Sequence, residues 1–92
     1  MEFLMKHSYA ITMLQRYGFI FKPMPDGFAM LHDVLRDSEK ISLVIKPDCA
    51  VVIEGFDGVS SPAKRTRFPT EGDGVSRAVD YAIECYQQLN DQ

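Results

Sequence analysis

The stretch Phe19-Ile20-Phe21-Lys22-Pro23-Met24-Pro25-Asp26-Gly27-Phe28-Ala29-Met30 decides the fold. A β-type run, Phe19-Ile20-Phe21, meets a turn in which proline fixes φ, aspartate bonds its own backbone and glycine accepts positive φ. Beyond the turn Phe28, Met30, His32 and Val34 alternate with Ala29, Leu31 and Asp33. Two apolar runs across such a turn predict a hairpin, and period-two alternation predicts that one of its faces is buried.

Upstream, residues 2 to 17 read as a helix. At about 100° per residue, Phe3, Leu4, His7, Ala10, Ile11, Leu14 and Tyr17 share one arc. Gly18 supplies the stop, because glycine takes the left-handed conformation that ends helices. Downstream, the polar turn Arg36-Asp37-Ser38-Glu39-Lys40 leads to a strand from Ile41 to Lys46. The Pro47-Asp48 turn then leads to a fourth strand from Ala50 to Glu54. Residues 55 to 63 have the composition of an irregular loop, and the basic run Lys64-Arg65-Thr66-Arg67 emerges from it, with a short edge strand over 64 to 68 left open. Thr70 and Asp73 sit at capping-box spacing ahead of a last helix with the stripe Val75, Ala78, Val79, Ala82, Tyr86 and Leu89. The fold class is therefore α+β: one domain over 1 to 92, ordered helix, three- to four-stranded antiparallel meander, helix, with both helices on one sheet face.

With 46% apolar and 25% charged residues the chain has the make-up of a folded globular protein. The longest apolar run, Cys49 to Ile53, is far short of the ~20 residues that span a bilayer, so no membrane anchor is expected. Cys49 and Cys85 are expected as buried free thiols, which fits a reducing cytoplasm. A net charge of −3 argues against general binding to DNA or anionic membranes.

Active-site chemistry is not legible. His7, His32, Cys49 and Cys85 lack zinc-ligand spacing, Ser60-Ser61 lacks a nucleophile elbow, and Asp80 and Glu84 lie on the outer face of their helix. Gly72-Asp73-Gly74 precedes a helix, but Glu71 and Asp73 would repel a phosphate. No catalytic residue, metal ligand or cofactor is expected.

Binding surfaces are legible. Three of the ten basic residues, Lys64, Arg65 and Arg67, fall within four positions and adjoin Phe68, so a basic loop can grip phosphates or carboxylates beside an aromatic ring. On the first helix Met5, Tyr9, Thr12 and Arg16 point away from the core arc, and residues of these types are enriched in interfaces. If the second face of the sheet is apolar and exposed, it makes a third surface.

In size, acidic balance and helix–meander–helix organisation the whole chain resembles the small phage-encoded anti-CRISPR proteins, with no shared motif. The resemblance implies a non-enzymatic inhibitor or adaptor that docks on a larger protein or ribonucleoprotein complex, with Lys64, Arg65 and Arg67 touching its protein or its guide RNA. Two other readings stay open. In one, Phe19, Phe21 and Phe28 stack RNA bases while the basic loop follows the backbone. In the other, the chain is a small enzyme subunit whose pocket forms between copies.

Overall fold

A computed structural model of the chain describes residues 6–36, 39–55 and 63–90, without the side chains at 33–40 and 89–90. The elements are α1 (Ser8–Arg16), β1 (Ile20–Met24), β2 (Gly27–Arg36), β3 (Glu39–Ile45), β4 (Cys49–Glu54), β5 (Lys64–Pro69) and α2 (Gly74–Asn90). The five strands form one antiparallel sheet in the order β1-β2-β3-β4-β5, so the meander holds one strand more than the sequence predicts. The added strand is the basic segment itself. Lys64–Pro69 pairs with β4, from Glu54 opposite Lys64 to Cys49 opposite Pro69, and is therefore an edge strand rather than a loop.

Two local signals set the course of the chain. Gly18 ends α1 at φ 92°, its N–H donating to the Gln15 carbonyl at 3.0 Å, while Phe19 N–H donates to the Leu14 carbonyl at 3.1 Å. This pair of bonds is a Schellman cap, and it turns the chain directly into β1. The Pro25-Asp26 turn then closes the expected hairpin, with Met24 opposite Gly27 and Phe21 opposite Met30, but Gly27 enters β2 without the positive φ expected of it. The β2–β3 connection is tighter than the sequence suggests. Arg36 pairs with Glu39, and the register shifts between His32 and Arg36.

Alternation along the strands builds the core. Phe28 and Met30 on β2, Ile41, Leu43 and Ile45 on β3, and Ala50 and Val52 on β4 are all buried. They pack with Ala10 and Leu14 of α1 and with Ala78, Val79, Ala82, Ile83 and Cys85 of α2. Because both helices pack into this one cluster, both cover the same sheet face. Val75 and Tyr86 pack at its margin, whereas the Leu89 side chain, like Phe3 and Leu4, lies outside what the structure describes.

The last helix begins at Gly74, with its N–H donating to the Glu71 carbonyl at 3.1 Å. Thr70 does not cap it. The Thr70 hydroxyl donates instead to the Pro47 carbonyl at 2.9 Å, tying the β5–α2 connection to the β3–β4 turn. That tertiary bond outcompetes the local capping geometry. Among the described residues no helix is long and apolar enough to cross a membrane.

Candidate functional site

The register of the sheet divides the basic segment between its two faces. Lys64, Thr66 and Phe68 alternate with Arg65 and Arg67, so they point to opposite sides of β5. Lys64 and Phe68 lie on the helix side. Lys64 Nζ is 4.0 Å from Glu54 Oε2, which also accepts a 2.9 Å hydrogen bond from the Tyr81 hydroxyl. Tyr81, and after it Glu54, hold the exposed Lys64 ammonium above its ordinary pKa. Phe68 packs on the core with its ring 5.7 Å from that of Tyr81. The expected cluster of Lys64, Arg65, Arg67 and Phe68 is therefore not one contact, because a strand, unlike a loop, sends neighbours to opposite faces.

Arg65 and Arg67 are exposed on the other face, which neither helix covers. The Arg65 guanidinium reaches back to the Ala63 carbonyl at 3.4 Å. Two rows cross the sheet there. One runs Lys22, Ala29, Val44, Val51, Arg67, and the other runs Ile20, Leu31, Ser42, Ile53, Arg65. In the first row Ala29, Val44 and Val51 fill the middle of the sheet, in the second Leu31 and Ile53 flank Ser42, and an arginine closes the β5 end of each. Lys22 closes the β1 end of the first row, and Ile20, 55% exposed, closes that of the second. With neighbouring strands about 4.8 Å apart, the cations face each other across roughly 19 Å of apolar floor.

No single sequence motif marks this face. Its signal is Val51 and Ile53 at the parity opposite Ala50 and Val52 on β4, joined by Val44 opposite Leu43 and Ile45 on β3. Strands apolar at both parities are apolar on both faces.

The remaining sequence candidates lie elsewhere. Tyr9 is 56% exposed and Thr12 and Arg16 are exposed, while Met5, the fourth member of that stripe, lies outside the described residues. Tyr9 borders a cleft of about 180 Å³ that also touches Lys6, His7, Thr70 and Ser76. His7 is 6% exposed, and burial, with Lys6 second, lowers its pKa. The rings proposed to stack bases are committed to the core: Phe28 is fully buried, Phe19 is 3% exposed and Phe21 packs against both the core and Phe28. Asp80 and Glu84 are exposed on the outer side of α2.

Both cysteines are free and buried. Burial, and after it the neighbouring Glu54 carboxylate, push the Cys85 thiol up to about 11. A thiol so placed stays protonated at neutral pH and is a poor nucleophile. Alkylation of Cys85 by iodoacetamide at pH 8 is expected to be slow in the folded chain and to accelerate with unfolding by guanidinium. The stability that the protonated thiol contributes is complete below its unfolded value of 9.0 and lost as pH rises through 11. Melting curves are therefore expected to decline across pH 9 to 11 less steeply in Cys85→Ala than in the wild type. An equal decline would remove Cys85 as the cause.

The chain matches no protein-family model, no curated protein sequence and no solved structure.

Proposed function

We propose that the chain is a non-enzymatic protein-binding module, a small inhibitor or adaptor that docks on a larger protein or ribonucleoprotein complex. The docking surface in this reading is the open face of the sheet. The observation that carries it is the apolar floor of Leu31, Val44, Val51 and Ile53 bordered by Arg65, Arg67 and Lys22. Burying apolar side chains supplies affinity, and a charged rim supplies orientation and on-rate, which is the anatomy of a protein interface. Inhibition of the kind practised by the phage-encoded anti-CRISPR proteins needs nothing more than such a face placed over a partner's working surface.

RNA is a poorer occupant. The described floor carries no aromatic ring, so bases have nothing to stack on, and the acidic body opposes a polyanion.

Site-specific photo-cross-linking in the native host cell tests the proposal. A photoreactive residue at position 42, in the middle of the face, is expected to give a discrete, nuclease-resistant adduct with one other protein. The same residue at position 80, outside α2, is expected to give none. Arg65→Glu with Arg67→Glu should abolish the adduct while changing folding stability by less than about 0.5 kcal/mol each, since both side chains are exposed. Equal adducts from positions 42 and 80, or a nuclease-labile adduct at 42, would overturn the proposal.

A further inference from the structure

We infer that the element seated on the open face is an amphipathic α-helix of the partner, with an apolar stripe flanked on both sides by carboxylates. The inference rests on the docking reading above and specifies its partner.

Charge decides the class of occupant. Lys22, Arg65 and Arg67 all lie on this face, and none of its described side chains is acidic. A second copy of the chain is a poor fit. Sheets packed face to face lie nearly aligned. A twofold axis along the strands then sets β5 of one copy over β1 of the other, bringing arginines to Lys22. An axis across the strands sets β5 over β5, bringing arginines to arginines. Both arrangements oppose like charges, whereas a partner with carboxylates at both margins complements the sign of the rim.

Width decides its shape. A helix with its side chains is about 10–12 Å across. Laid along the strands, it fills the apolar middle of a floor about 19 Å wide and leaves several ångströms on each side for acidic side chains to reach the cations. Arg65 and Arg67 are two residues apart on one strand, about 6.7 Å, close to the 5.4 Å rise of one helical turn. Glutamates four residues apart on the helix flank therefore address both arginines. The sheet already accepts a helix on its other side, where the 17-residue α2 packs on β3, β4 and β5. The partner helix would complete a helix–sheet–helix sandwich.

The test titrates three synthetic 18-residue peptides into isotope-labelled full-length protein, followed by amide chemical shifts. The first carries a leucine stripe with glutamates on both flanks, the second has lysines for glutamates, and the third is the first interrupted by two prolines. The glutamate peptide is expected to shift Leu31, Ser42, Val51 and Ile53. Its binding should weaken at least tenfold for the lysine peptide, for the proline peptide, and for Arg65→Glu with Arg67→Glu. Equal binding of the lysine or proline peptide, shifts confined to α2, or no binding at millimolar peptide would overturn the inference. Any of these together with a protein adduct at position 42 rejects the helix and leaves the docking reading standing, whereas loss of the adduct itself rejects that reading.

Discussion

Replacing Phe28 by alanine is expected to lower folding stability by about 3–5 kcal/mol, the range for truncating a fully buried aromatic ring. Phe28 is among the largest side chains with no exposure. It sits on β2 between the Phe21 ring, 5.5 Å away between centroids, and the His7 ring of the α1 N-terminus, 6.1 Å away. Truncation thus removes contacts from the sheet and from the helix above it at once, and β3 on the far side is held in register with Ile45 opposite. Little can move in to fill the space. A domain of this size has about 5–15 kcal/mol in total, so the variant should lose a large part of its stability. Urea denaturation is the measurement, with the midpoint falling at unchanged slope. Phe28→Leu, which keeps most of the volume, should cost well under half as much. A loss below about 1 kcal/mol for Phe28→Ala would mean that the helices do not close on this part of the sheet.

Gly27→Ala is expected to cost about 3 kcal/mol, a fall in melting temperature of roughly 12 °C or more. A Cβ built on Gly27 collides with the carbonyl oxygen of Ile45 and crowds the backbone of Lys46. These are backbone atoms at the end of a strand paired on both sides, so they cannot swing aside as a side-chain tip would. Relief requires β2 to part from β3 or the Pro25-Asp26 turn to open. Weakened amide protection at the β1–β2 end of the sheet should accompany the lower melting temperature. A melting temperature within about 3 °C of wild type would show that the turn relaxes at little cost and that the close approach is not structural.

Local physics made much of this molecule legible. The positive φ of Gly18, the hairpin at Pro25-Asp26-Gly27 and the inward stripe of Ala78, Val79 and Ala82 each follow from residues within a few positions of one another. The basic segment resisted the same treatment. Read alone, Lys64-Arg65-Thr66-Arg67 has the polarity of a loop, and what makes it a strand is the unpaired edge of β4 awaiting it. Charged side chains are in turn what suits such a strand to the outside of a sheet. Thr70 gives a second case. Its spacing to Asp73 fits a helix cap, yet its hydroxyl goes to Pro47, 23 positions away in the chain, because folding brings that carbonyl within reach.

The candidate site divides along the same line. The sequence by itself determined the two helices, the first four strands, their order and the presence of arginines at 65 and 67. It also determined that β4 is apolar at both parities from Cys49 to Ile53, whereas β3 sets Ser42 beside Val44 on its second face. Only the tertiary structure decided that Lys64 and Phe68 turn to the helices while Arg65 and Arg67 turn away, and that Lys22 comes to border the same floor from the opposite edge. The physical reason is that alternation fixes which side chains share a face, whereas pairing and register fix which strands stand beside them. Those depend on contacts between residues far apart in the chain.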